Sequence, residues 1–164
     1  MRHASREANL LGASALAVAD RLRTGAGDAA LVALGSFMDG STIDALAKVL
    51  ALTHSGAVRL VDRLADGGLV ERRSGPDARS VAVHLTADGA ARAERLRSGR
   101  EATLLGMLDH LDPAEREALA PLLGKLLGGL TTDRASARRI CRLCDADACG
   151  HPEHCPVTRA VGPS

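Results

Sequence analysis

The sequence predicts a mainly α protein with one small β hairpin. Three observations carry this reading. Apolar residues recur at helical spacing in successive stretches, as at Ile43, Leu46, Ala47 and Leu50. Only two short runs, residues 69–73 and 81–85, carry strand patterning, and a turn-rich stretch separates them. Aromatics are nearly absent, with no Trp, no Tyr and Phe37 alone. The core must then be Leu, Val and Ala, whose small side chains suit closely packed helices.

Residues 7–24 read as an Ala-rich amphipathic helix, ended by Thr24-Gly25-Ala26-Gly27. Asp28 is expected to cap a second helix over 29–38, with Leu31, Leu34 and Met38 on one face. Asp39-Gly40-Ser41-Thr42 breaks that helix, and Thr42 opens a third. Thr53 caps a fourth helix that runs to about residue 66, with Ala57, Leu60, Val61 and Leu64 turned inward. Gly67 and Gly68 stop it. The hairpin follows, with His84 on the outward face of its second strand and expected in solvent. Thr86 caps a long helix over 87–110, weakened by Gly89, Gly99 and Gly106. Asp112-Pro113-Ala114-Glu115 joins an N-cap, a first-position proline and an acid three residues on, a strong helix start. The helix it opens carries Leu119, Leu122, Leu123, Leu126 and Leu127. A basic linker follows, in which residues 134–142 hold four arginines and no acid; a short helix continuing from Arg134 would set Cys141 and Cys144 one turn apart with both sulfurs on one side.

A chain of 164 residues with 46% hydrophobic and 25% charged residues is ordinary for one globular domain, with or without an appendage. The lack of aromatics excludes modules that stack bases on aromatic rings. A net charge of +1 is low for a nucleic-acid binder, although the distribution of charge decides more than its sum. The run ending Ala17-Val18-Ala19 looks like a signal peptide, but Glu7, Asn9 and Ser14 interrupt it and it continues into Asp20-Arg21-Leu22-Arg23. It is read as a helix, and the protein as cytoplasmic. No stretch approaches the roughly 18 apolar residues of a membrane span.

Two short helices joined by a tight turn and followed at once by a hairpin form a winged helix–turn–helix. The fourth helix is of a length to enter the DNA major groove with its N-terminal half at the base edges. Thr53, His54, Ser55, Val58, Arg59 and Arg63 are the candidates there, with Arg63 equally able to pair internally with Asp62 or Asp66. Arg73 and Arg79 on the wing are candidates for backbone or minor-groove contact. The series Val58-Arg-Leu-Val-Asp-Arg-Leu64, Gly68-Leu-Val-Glu-Arg-Arg73, Asp77-Ala-Arg79 and Leu85-Thr-Ala-Asp-Gly89 resembles the MarR family of regulators. The resemblance extends from about residue 7 to 130. It implies a homodimer interlocked through its terminal helices, bound to a palindromic operator in double-stranded DNA. It further implies repression or activation tuned by an effector that changes the spacing of the two recognition helices. Gly56 and Val58 stand where that family often has Ser or Thr, and Ala78 where it often has Arg. The expected organisation is a winged-helix, dimer-forming domain over 1–131, with its DNA-binding part at about 28–90 and dimerisation helices at about 7–24 and 87–131. A cysteine-rich tail follows over 132–164.

That tail holds every cysteine of the chain: Cys141, Cys144, Cys149 and Cys155. In a cytoplasmic protein such clustering points away from structural disulfides and toward metal or redox chemistry. Three readings stand together. Zinc commonly uses Cys-x2-Cys, and the run Cys141-x2-Cys144-x4-Cys149-x4-His154 resembles a zinc knuckle with one ligand exchanged. An iron–sulfur cluster suits four cysteines closed by Cys155-Pro156. Thiol–disulfide switching needs no metal. The fourth ligand is Cys155, with His151 or His154 as alternatives. His151-Pro152-Glu153 beside Cys-x2-Cys has the letters of a zinc deaminase in reversed order and without its scaffold, so no enzyme is expected. The alternative to a regulator is a helical, dimeric, zinc-binding interaction protein that binds no operator.

Overall fold

The computed structural model describes residues 5–75 and 80–162. α1 (Arg6–Leu22) begins at Ser5, whose hydroxyl accepts the Ala8 N–H at 3.2 Å. α2 (Ala26–Ala33) begins at Gly25 and runs directly into a π-helical stretch, Leu34–Met38. Asp28 therefore does not cap this helix. It lies in the first turn, where a carboxylate suits the helix dipole, and it reaches Arg92 at 3.4 Å. The helix–turn–helix is α3 (Ile43–Leu50) and α4 (His54–Asp66), opened by Thr42 and Thr53, whose hydroxyls accept the N–H groups of Ala45 and Gly56.

The sheet has three strands where the sequence predicts two. β1 (Ser41–Thr42), β2 (Val70–Ser74) and β3 (Val81–Leu85) lie in the order β1-β3-β2, all antiparallel. β1 pairs Ser41 with Val83 and Thr42 with Ala82, a strand too short to leave a periodic signal. Asp39 secures this corner. Its carboxylate accepts the Leu85 N–H at 3.1 Å and lies 3.0 Å from His84 Nδ1. The His84 side chain is only 23% exposed, so it is a partner of Asp39 rather than a solvated ring. Gly40, at φ 74°, sits beside it, and a Cβ there would come within 2.9 Å of the ring. Partial burial raises the Asp39 carboxyl, but the Leu85 N–H and His84 outweigh it and hold its pKa below the ordinary value.

α5 (Ala87–Leu108) starts from a tight junction. Thr86 Oγ1 accepts the Gly89 N–H at 3.0 Å and donates to the Gly68 carbonyl at 2.6 Å, while the Thr86 N–H reaches the Leu69 carbonyl at 3.1 Å. A Cβ on Gly89 would fall on that Leu69 carbonyl. α6 (Pro113–Leu130) opens with the expected capping box, Asp112 and Glu115 each accepting the other's N–H at 2.9 Å.

The core gathers Leu31 and Leu34 of the second helix with Leu46, Val49, Leu60, Val61, Val70 and Val83. α5 contributes Ala93. α1 and α6 bury no residue within the chain. The linker after α6 proves to be helical: α7 (Arg134–Cys141) has its own capping box between Asp133 and Ser136. α8 (Pro156–Val161) closes the described chain. α7 packs on α3 and α8, and α8 packs on α6.

Two consequences are measurable by urea unfolding. Gly89→Ala lowers stability by about 1–3 kcal/mol through overpacking against Leu69. Gly99→Ala, with open space at its Cβ in mid-helix, raises it by about 0.5–1 kcal/mol. Equal effects at the two glycines would contradict the junction described. Asp39→Ala costs about 1 kcal/mol at pH 7, the scale of a lost hydrogen bond. Because the folded pKa of Asp39 is lowered, its contribution is complete above the ordinary carboxylate range and fades as pH falls through the folded value. The gap between wild type and variant therefore narrows in acid, and a gap unchanged at low pH would rule out the carboxylate as its source.

Candidate nucleic-acid interface and cysteine site

α4 presents two faces. Ala57, Leu60, Val61 and Leu64 are buried, and the sequence stripe holds. Arg59 and Arg63 are exposed. Neither has a side-chain ion pair among the described residues: the partner expected for Arg63, Asp62, is taken by Arg72 of β2 at 2.6 Å. Arg72, which the sequence reading did not single out, thus ties the recognition helix to the wing. Its register opposite Val83 could not be known before the hairpin was placed. Arg73 pairs with Glu71 and is less free than its place on the wing suggests. Arg79 lies outside the described residues, as do Asp77 and Ala78.

At the start of α4, Thr53 Oγ1 caps Gly56 at 3.1 Å and lies 3.3 Å from the Ser55 hydroxyl. A Cβ on Gly56 would come within 3.0 Å of that cap oxygen, a tight contact for any other residue. His54 Nδ1 is 2.6 Å from Asp44 Oδ1 on α3, both side chains exposed. This contact braces one helix of the motif on the other. Val58 is half-buried. The exposed end of α4 therefore combines first-turn N–H groups, Ser55 and His54, with Arg59 one turn on. That is donor chemistry suited to phosphate and base edges.

The four cysteines are free thiols brought to one place. Cys141 ends α7; Cys144 lies in the turn that follows, its N–H on the Cys141 carbonyl at 2.9 Å. Only Cys141 is helical, so the two do not share a helix face. Gly150, at φ 66°, lets the chain turn back, and Cys155 stands at the N-cap of α8. All four line a single cavity of about 250 Å³, together with Phe37 from the π-helical stretch and His151. Cys155 is almost fully buried.

The thiols act as two pairs. Hydrogen bonding from Cys141, helped by Arg100 and Arg142 nearby, outweighs burial and brings Cys144 down to about 6; the same hydrogen bond, together with burial, pushes Cys141 up. Burial, then hydrogen bonding with Cys155, raises Cys149 to about 11. Burial opposes ionisation of Cys155 as well, but the Thr158 hydroxyl and N–H groups outweigh it, and Cys155 falls to about 7. Among the described residues, no three Cys, His, Asp or Glu side chains converge on one point as a ready ion site. The two histidines considered as ligands are placed differently. His151 Nδ1 is held 2.9 Å from Thr158 Oγ1 at the cavity wall, while His154 is exposed and does not line it.

Comparison with known proteins bears on both features. The family model described as MarR family matches residues 29–80, the span from α2 through the helix–turn–helix and β2. A MarR family protein from Bacillus stearothermophilus is 26% identical, with 76% of this chain and 92% of that one covered at a TM-score of 0.68. Over this span the chain is similar to the MarR family. The fold is also that of MepR, a transcription regulator of the Staphylococcus aureus multidrug efflux pump MepA, at 21% identity and a TM-score of 0.63 over 77% of this chain and 99% of that one. A MepR point mutant bound to an oligodeoxyribonucleotide is similar at 21% identity and a TM-score of 0.57, again over 77% and 99%. No curated protein matches the chain. The match to the MarR model ends before the cysteine tail.

Because Arg59 and Arg63 pair with nothing among the described residues, alanine at either changes folding stability by less than about 0.5 kcal/mol. Arg72→Ala removes a partly exposed ion pair and costs up to about 1 kcal/mol. Thermal or urea unfolding of the three variants tests this order. A large loss at Arg59 or Arg63 would reveal a structural partner.

Proposed function

We propose that this chain is a regulator of the MarR type: homodimeric, sequence-specific in DNA binding, and repressing from a palindromic operator. The observation that carries the reading is the exposed face of α4, where Arg59 and Arg63 have no ion pair among the described residues and stand behind a helix N-terminus rich in donors. A helix braced by α3 through His54–Asp44 and by β2 through Arg72–Asp62 is held as a rigid reading head. A MepR point mutant of the same fold is bound to an oligodeoxyribonucleotide, which supports DNA as the partner.

Dimerisation is supported by what the chain leaves uncovered. Leu10, Leu11 and Leu16 of α1 and Leu122, Leu123, Leu126 and Leu130 of α6 are 44–69% exposed. The leucine stripe of α6 is a helix face without a core in its own chain, and a second copy supplies one. Two recognition helices then read two half-sites, as one alone spans too few base pairs for useful specificity. No helix among the described residues is long and apolar enough to cross a membrane, and the proposed place of work is the cytoplasm, with its DNA. The role requires no catalysis.

The test is selection from random duplexes followed by sedimentation. The expected outcome is a palindromic site and a stable dimer; a monomer at micromolar concentration, or no enriched site, refutes the reading. On the selected operator, Arg59→Ala weakens binding by about 1–3 kcal/mol and reduces the salt slope by about 1, whereas Arg72→Ala, already neutralised by Asp62, does less.

A further inference from the structure

We propose that Cys141, Cys144, Cys149 and Cys155 form a four-thiolate site for a thiophilic metal centre, zinc or an iron–sulfur cluster, and that its occupancy couples the dimerisation helices to the DNA-reading unit. Four thiols face one cavity whose volume, about 250 Å³, leaves room for such a group. The chain brings the thiols in by twos: Cys144 follows Cys141 across one turn, its N–H on the Cys141 carbonyl, and Cys155 at the head of α8 returns toward Cys149 past the turn at Gly150. Two opposed pairs are what a tetrahedral ion or a cluster bridges. A single ion would draw the pairs inward, since no three ligands yet meet at one point. Each ligating thiol gives its proton to solvent on binding. Arg134 and Arg138 line the same cavity and offset the negative charge that four thiolates bring.

The position of the site supplies the coupling. Its walls come from elements otherwise separate in the fold. Phe37 reaches it from the π-helical end of α2, and α7, which carries Cys141, packs on α3. Asp145, between Cys144 and Cys149, pairs with Arg97 of α5. α8, headed by Cys155, packs on α6, where Pro156 lies over Gly124 and Gly128. Closing the centre therefore fastens α3, which braces the recognition helix, to α5 and α6. Losing it frees the tail and loosens that link.

The inference of coupling rests on the regulator reading above, but the metal site does not, and the experiment separates them. The full-length chain is purified without oxygen and assayed for zinc, iron and acid-labile sulfide, with an ultraviolet–visible spectrum. Near-stoichiometric zinc in colourless protein, or iron with sulfide and visible absorption, supports the centre and tells the two apart. Protein without metal, or with Cys141–Cys144 and Cys149–Cys155 disulfides, that takes up neither zinc nor a reconstituted cluster after reduction overturns it. Cys141→Ser/Cys144→Ser is expected to lose the metal. Should that variant fail to fold, hydrogen exchange across residues 134–162 of wild type before and after chelation gives the same answer, with protection lost on stripping; unchanged protection overturns the clasp. Operator affinity differs at least about fivefold between loaded and stripped protein, and equal affinity overturns the coupling. Absence of DNA binding in both states, with metal present, refutes the regulator reading and leaves the site standing.

Discussion

The contact between the α5 N-terminus and the end of the recognition helix sets the geometry of everything around it. Gly68 and Leu69 leave α4 and enter β2, and Thr86 leaves β3 and enters α5; the two exchange hydrogen bonds through Thr86 Oγ1 to Gly68 and Thr86 N–H to Leu69. Gly89 lets the backbones meet there, because a side chain at that position would occupy the Leu69 carbonyl. One close approach thus joins the reading head, both long strands of the wing and the long helix that leads toward α6. Rotation of α5 must carry α4 with it, since little slack exists between them. This gives the Leu-Thr-x-x-Gly signature a mechanical meaning that its letters alone do not disclose.

The same rigidity makes the location of the cysteine site consequential. The Thr86 junction ties α5 to the C-terminal end of α4, and the tail reaches α3 on the other side of the helix–turn–helix through α7. The helix–turn–helix is therefore held at two places: at one by backbone hydrogen bonds to Thr86, at the other by the packing of α7, which ends at Cys141 of the proposed centre. A coupling free energy between a distant site and DNA requires a differential effect on two arrangements of that unit. A fixed hinge and a variable fastening satisfy that requirement, whereas two fixed attachments would not.

What could be read from the chain beforehand was local. Thr42, Thr53, Thr86 and Asp112 cap the helices assigned to them because cap chemistry is decided within three residues. The buried stripe of α4 follows from spacing alone. Features that need a partner distant in sequence were not legible. β1 exists only because β3 returns beside it, and Asp39 holds His84 across 45 residues. Arg72 displaces Arg63 as the partner of Asp62 only once the hairpin fixes its register. Asp28 was misread because a cap-forming residue was present, yet the helix could begin two residues earlier at Ala26 without a side-chain cap. In the tail, a short helix from Arg134 was legible, but it stops at Cys141 and does not carry Cys144. Asp133 with Ser136 and Pro156 after Cys155 open α7 and α8 by the same rules that located the other helices. The clustering of the thiols was evident; their division into two pairs depends on the turn at Gly150.

Net charge gave a weak indication because opposite charges are consumed unevenly. Between Thr53 and Gly75 the chain carries Arg59, Arg63, Arg72 and Arg73 against Asp62, Asp66 and Glu71, nearly neutral by count. Asp62 is taken by Arg72 and Glu71 by Arg73, both pairings rooted in the wing. Among the described residues of this stretch, the positive charge left without a pair is that of Arg59 and Arg63 on α4, away from its buried stripe. A phosphate meets the local potential rather than the sum over the chain, and at physiological salt that potential extends only about 8 Å. The proposed dimer would bring two such faces to one duplex. A chain of charge +1 is therefore compatible with DNA binding that is steered by a few arginines, and its specificity must come from how rigidly those few are held.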